Sequence, residues 1–327
     1  MERRTFLGVI AGGLLAAPLV AEAQQPGKRW RIGSVLAGSQ ESTGRVANAI
    51  ESSLAAAGYI AGRNITLEHR YYRPDPAGAD EVLRAVVPAA DLLVVGGTIG
   101  AVAARKITTV LPTVFLSVGD PVRVGLVSSL AHPGGNMTGV TFEAASETYG
   151  KRLQLLKEIL PGLTVAGILR VPSDANIVVA MESLERVAPG LGVTIHPFDI
   201  STVDDLSGVF VRMKSSGVQA VLVVAGAFTY THGRRIAELA MTQRLPSAHA
   251  FRETAAAGGL LSLGPDIVAM APQVAAYVDK ILKGAKPGEL PVEQPTTYEL
   301  IINLKTAKAL GLAIPPSLLQ RADQVIE

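Results

Sequence analysis

The chain has 327 residues, 48% of them hydrophobic and 18% charged, with 30 Lys and Arg set against 28 Asp and Glu. That is room for two ordinary globular domains, and the composition is not that of a disordered chain. A net charge of +2 without any block of five or more basic residues gives no electrostatic pull toward nucleic acid or an anionic membrane. The complete lack of Cys excludes disulfides, thiolate metal sites, thiol catalysis and a lipid-bearing N-terminal Cys.

Residues 1–25 read as an address rather than as fold. Arg3 and Arg4 give a positive start, Phe6–Val20 is a largely apolar run, and Ala21 and Ala23 stand where a signal peptidase reads, so cleavage is expected after Ala23. The run is broken by Gly8, Gly12, Gly13 and Pro18 and is shorter than the roughly 20 residues that span a bilayer. Arg3–Leu7 resembles a twin-arginine export signal, although the general secretory route fits the same features. The mature protein is expected free in the periplasm.

From Trp30 onward a short apolar run, a turn of small residues and a stretch at helical spacing alternate. Trp30–Ala37 reads as a strand, and Val46, Ala49, Ile50 and Leu54 mark one helix face that Gly58 ends. Strands follow at Ile65–Tyr71, Leu92–Val95 and Thr113–Leu116, with helices near 77–89 and 99–109. Their continuous Val, Leu and Ile content predicts a parallel sheet covered on both faces. In the second half Tyr149, Leu153, Leu156 and Leu160 mark a helix. Strands are expected at Val165–Leu169, Val193–Phe198, Ala220–Val224 and Ser247–Phe251, with helices over 175–188, 203–216, 231–243 and 266–283.

An internal repeat organises these elements. Leu92–Val95 leads through Gly96, Gly97 and Thr98 into a helix, and Pro112 opens the next strand. Val221–Val224 leads through Ala225, Gly226 and Ala227 into a helix, and Pro246 opens the next strand. The pattern predicts an α/β protein of two doubly wound parallel-sheet lobes with a ligand cleft between them. The expected boundaries are 28–143 plus 262–296 for lobe one and 144–261 plus 297–327 for lobe two.

Catalytic signatures are missing: no G-x-S-x-G, H-E-x-x-H, P-loop or EF-hand loop occurs. Gly96–Gly100 is Gly-rich but lacks the spacing of a dinucleotide loop. His69, His132, His196, His232 and His249 lie on separate elements with no i, i+4 pair, so no metal and no cofactor are expected. Binding is therefore the favoured class. In doubly wound lobes ligands sit at the turns after the strands, which here hold Ser39 and Gln40, Gly97 and Thr98, Ser117 and Asp120, Asn176, Phe228 and Phe251. Helix starts among them suit a carboxylate, Asp120 or Asp174 an ammonium, and Phe228 and Phe251 an apolar or aromatic side chain. The structural alternatives are N-caps for Ser39, Thr98 and Asn176, a turn for Asp120, and core packing for both Phe residues.

At these residues the chain resembles the substrate-binding proteins of ABC transporters with the periplasmic-binding-protein type I fold, in the group that includes tryptophan- and tyrosine-binding members. The matching stretches are Ala57–Ile65, Gly96–Thr98, Val118–Pro121, Gly125–Val127, His132–Gly139, Thr231–Ile236, Pro291–Thr296 and Ile302–Gly311. The resemblance implies two lobes joined by three crossings that close on a solute. Thr98, Ser117 and Asp120 are then first-lobe contacts, and Asn176, Phe228 and Phe251 second-lobe contacts. It further implies a monomeric periplasmic receptor, not an enzyme, that takes an amino acid or related carboxylate to an ABC permease in the inner membrane. The rivals are a ligand sensor for a membrane signalling partner and an exported enzyme using the same cleft. A DNA-binding regulator would need a helix-turn-helix where this chain has its export signal.

Overall fold

The structure, a computed structural model, describes residues 29–142 and 147–327; the expected leader at 1–25 and the lobe boundary at 143/144 lie outside the described residues. The first lobe runs β1 (Trp30–Ala37), α1 (Gln40–Ala56), β2 (Ile65–Tyr72), α2 (Pro76–Val86), β3 (Leu92–Gly96), α3 (Gly97–Ile107), β4 (Thr113–Val118) and β5 (Met137–Thr141). Its strands form one parallel sheet in the order β2-β1-β3-β4-β5. Strand β3 shows why the sheet is covered twice. Leu92 and Val94 enter the core shared with α1, while Leu93 and Val95 enter the core shared with α2 and α3. A period of two in an all-apolar strand buries both faces.

The second lobe begins with α4 (Glu147–Ile159), β6 (Val165–Arg170), α5 (Asn176–Val187), β7 (Thr194–Asp199), α6 (Asp205–Ser215) and β8 (Ala220–Val223). It continues with α7 (Ala227–Thr231), α8 (Gly233–Thr242), β9 (Ser247–His249), α9 (Arg252–Ala256) and β10 (Leu261–Gly264). The chain then returns to the first lobe as α10 (Ala271–Leu282), whose Val274 and Val278 share a core with Ile50 and Leu54 of α1. It crosses back for β11 (Glu299–Asn303), α11 (Leu304–Leu310), α12 (Pro316–Leu319) and β12 (Gln324–Ile326). The second sheet has seven strands in the order β12-β11-β10-β9-β8-β6-β7, parallel except where β11 runs against β10. Leu206, Val209, Phe210 and Met213 of α6 pack with Ile236 of α8 on one face; Leu153 and Leu156 of α4 cover the other.

The lobes thus have the expected α/β class. Four strands were not foreseen: β5, β10, β11 and β12 are short, and β5 (Met-Thr-Gly-Val-Thr) carries little apolar bulk. The boundary drawn at 261/262 cuts β10, which pairs with β9 and β11 in the second sheet, so the chain leaves that lobe only after Gly264. The helix expected over 231–243 is α8, and the short α7 that precedes it, separated by His232, was not foreseen. The return to β11 is anchored where Glu293 bridges Val140, the Glu293 amide donating to Gly139 O at 3.0 Å. Among the described residues no helix is long and apolar enough to cross a membrane.

Candidate functional site

The C-terminal ends of β1, β3 and β4 face those of β6, β8 and β9, and the turns after them line a cavity of about 60 Å³. The first lobe contributes Leu36, Val46, Gly97, Thr98, Leu116 and Ser117. The second contributes Asn176, Ala225, Ala227, Tyr230 and Phe251, and Phe142 and Ile267 lie at the crossings. None of the lining side chains among the described residues is charged. The walls are largely apolar, and three aromatic rings touch. Phe251 lies 5.0 Å from Phe142 and 4.9 Å, edge-on, from Tyr230, centroid to centroid. Such tilted contacts are the favoured arrangement for ring quadrupoles.

Polar groups are few and fixed. Thr98, 2% exposed, donates from Oγ1 to Asn176 Oδ1 across the cleft at 3.1 Å and accepts from the Gly119 amide at 3.0 Å. Asn176 donates from Nδ2 to Ala225 O at 3.3 Å. The α3 N-cap is Gly96, which has no side chain to occupy the first-turn amides, so the positive end of that helix dipole opens at the cavity. Ser117 sits at φ +58°, where the β4–β5 register shifts. A non-glycine residue in this region costs about 1 kcal/mol or more and is typical of ligand clamps; the irregularity re-aims the strand end toward the cleft.

Behind the wall, Asp174 is 3% exposed and accepts from the Asn176 amide at 3.0 Å. Burial raises its carboxyl to about 6, opposed by the hydrogen bonds from the Asn176 and Ala227 amides. Asp174 therefore joins the starts of α5 and α7 rather than offering itself to an ammonium. Two ion pairs cross the cleft at its rims. Arg123, after β4, holds Glu182 of α5 in a two-pronged contact, with Nη1 donating to Oε2 at 2.7 Å. Arg45 of α1 lies 4.0 Å from Glu253 of α9. These contacts make this the closed arrangement of the lobes.

Of the residues singled out from sequence, Gly97, Thr98, Ser117, Asn176 and Phe251 share the cavity. The other four do not. Ser39 is the N-cap of α1, with its hydroxyl accepting from the Ser42 amide at 3.3 Å, and it borders a wider outer groove. Gln40 is exposed and accepts from the Tyr71 hydroxyl. Asp120 accepts from the amides of Val122 and Arg123 at 3.1 and 3.0 Å, so it stabilises a turn beside a smaller pocket. Phe228 belongs to the second-lobe core, borders the same outer groove, and has its ring 4.5 Å from that of His232, tilted by 55°. Helical rotation explains that correction: Ala227 and Tyr230, three apart, share the face toward the cavity, whereas Phe228 and His232, four apart, share another. Sequence reading missed Tyr230 and Phe142. The i, i+3 relation to Ala227 was the available signal for Tyr230; Phe142 follows the strand that was not foreseen. Among the described residues no group of three or more His, Asp or Glu is placed to hold a metal ion.

Comparison with known proteins agrees with this architecture. The chain is similar to a tyrosine-binding protein of Clostridioides difficile (strain R20291), 25% identical over 256 residues, which are 78% of this chain and 73% of that one. Its fold matches an ABC domain from Streptococcus pneumoniae solved in complex with L-Trp, with a TM-score of 0.84 and 26% identity over 91% of this chain and 100% of the other. It also matches a conserved domain protein from Vibrio cholerae, with a TM-score of 0.85 and 27% identity over 91% and 100% of the two chains. The model of the family described as ABC transporter substrate binding protein matches residues 37–326, which take in both lobes from the last residue of β1 onward. The chain belongs to that family of ABC transporter substrate-binding proteins, which implies a small-molecule ligand and an ABC permease partner.

Proposed function

We propose that this protein is the receptor of an ABC importer for an amino acid with an aromatic side chain. It captures the solute in the interlobe cavity and works as a monomer in the periplasm, after export by a cleaved leader. The observation that carries this reading is the uncharged cavity walled by Phe142, Tyr230 and Phe251 and sealed by hydrogen bonds between the lobes. A tyrosine-binding relative and a neighbour solved with L-Trp support the same solute class. Gly97, Thr98, Ser117, Asn176 and Phe251 are its contacts, with Phe142 and Tyr230 added by the structure. No bond is made or broken. The solute binds the closed form better than the open one and so shifts the population, and the permease reads the closed form.

The test is isothermal titration of denatured and refolded mature protein, freed of any carried ligand, with the twenty amino acids. Micromolar binding of L-Trp, L-Tyr or L-Phe is expected, and at about 1 mM such a ligand should add about 4 kcal/mol of stability. Binding confined to aliphatic or charged solutes would refute the aromatic assignment.

A further inference from the structure

Outside the inner cavity lies a second, wider interlobe groove of about 890 Å³. Among the described residues Tyr230 is the only one that lines both spaces, so it stands at the partition between them. The two spaces differ in chemistry. The inner one has no charged lining residue, whereas the groove presents charges from both lobes. Arg73 pairs with Asp75, and Glu41 of the first lobe and Arg234 of the second are exposed on the groove walls. Arg45 and Glu253 are the charges that meet across it. They come from opposite lobes and face one another at 4.0 Å, beyond direct hydrogen-bond distance. Glu253 is the largest charge acting on the Tyr230 hydroxyl and Arg45 the next, so the pair stands beside the partition.

Burying an unpaired ammonium or carboxylate in an apolar space is strongly unfavourable, while burying an aromatic ring there is favourable. The polarity of the two spaces therefore sorts the two ends of a zwitterionic aromatic solute. We propose that the solute lies astride Tyr230, its ring in the inner cavity and its head in the groove, the carboxylate on Arg45 and the ammonium on Glu253. This placement rests on the aromatic amino acid reading and makes Arg45 and Glu253 specificity-determining residues. A head bound this way joins the two lobes through its own charges, so recognition and closure become one event.

The experiment uses full mature protein and three sets of probes: L-Trp and L-Tyr; indolepropionate and hydroxyphenylpropionate, which lack the ammonium; and tryptamine and tyramine, which lack the carboxylate. Glu253→Gln should weaken the amino acids and the amines by about tenfold or more while leaving the deamino acids within about threefold. Arg45→Gln should weaken the amino acids and the deamino acids and spare the amines. Glu253→Gln is near-isosteric and the Arg45 side chain is exposed, so both variants should melt with the parent. If the parent binds L-Trp or L-Tyr and neither variant changes any affinity, the head lies inside, on the first-turn amides of α3, and the placement is wrong. If both variants weaken all three sets alike, the pair is a closure contact and not a recognition site, which also overturns the proposal. A parent that binds none of the probes refutes the aromatic amino acid reading itself, and the placement falls with it.

Discussion

Gly119 is the residue whose enlargement should reveal closure most directly. A Cβ built there would lie 1.9 Å from Asn176 Oδ1 and 2.9 Å from its Cγ, across the cleft. Ordinary contact begins near 3.4 Å, so in Gly119→Ala the lobes must stand about 1.5 Å further apart at this point. The alternative is rotation of Asn176, which forfeits its bonds to Thr98 Oγ1 and Ala225 O. Either route costs about 2 kcal/mol, from overpacking of 1–3 kcal/mol or one to two lost hydrogen bonds of about 1 kcal/mol each. The open form avoids the clash, so the ligand-free melting temperature should not move. Affinity, measured by titration with L-Trp or L-Tyr, should fall about 30-fold. Removing the opposing atom should restore it. Asn176→Ala alone loses one cross-cleft hydrogen bond, worth about fivefold, and the double variant should bind like Asn176→Ala rather than at the product of the two losses. Parent-like binding by Gly119→Ala, or additive losses in the double variant, would refute the closed-cleft geometry.

Phe228→Ala should cost about 3–5 kcal/mol in urea unfolding, as for other core aromatics, because it is buried in the second-lobe core; a loss below about 1 kcal/mol would refute that placement. His249, 2% exposed and held near a pKa of about 3 by burial and then by Arg152, must stay neutral in the fold, with Nε2 2.8 Å from Ser247 Oγ. The unfolded chain takes up a proton below about 6.5, so this group's contribution is present above that pH and is lost as pH falls, by about 1.4 kcal/mol per unit. Asp174 works the other way. Its carboxyl is raised from 3.8 to about 6, so the native state keeps a proton that the unfolded state has released. Stability from it is full at low pH and declines by about 3 kcal/mol as pH rises through that window. The two slopes oppose each other between pH 4 and 6 (about the span of both shifts). His249→Gln should therefore leave a profile falling with pH, and Asp174→Asn one rising with pH; unfolding curves parallel to the parent's in both variants would refute the assignments.

Much of the first lobe was legible because its strands are long apolar runs and its helices carry one clean face, as in Leu92–Val95 and in Val46, Ile50 and Leu54 of α1. The elements missed are those whose identity is settled by neighbours. Strand β5 has Gly139 at its centre, where a side chain would meet Phe115 O at 2.0 Å, so close approach of two backbones rather than apolar bulk defines it. Strands β10 to β12 are three to five residues long and form only because the returning chain pairs with them. The site divides in the same way. Backbone-determined positions, such as the turn at Gly97 and Thr98, follow from strand–turn–helix order. Rotational choices do not: Phe228 and Tyr230 are equally aromatic in the sequence, and only the seating of α7 on the second sheet decides which one faces the cavity. Hydroxyls and carboxylates after strands were also divided by local geometry, Ser39 and Asp120 being taken by the backbone amides that follow them.

The return of α10 to the first lobe has a consequence for biosynthesis. Helix α1 and the sheet beneath it are covered by Val274 and Val278, which leave the ribosome long after β1 to β5 have been made. Until then that face of the nascent first lobe is covered only in part, by α1, although its other face is already covered by α2 and α3. The second lobe waits as well, since β11 and β12 complete its sheet from the last residues of the chain. Neither lobe can finish folding ahead of the other, so the molecule should acquire protease resistance late and in one step. A fragment ending before Ala271 should remain a chaperone client rather than an isolated domain.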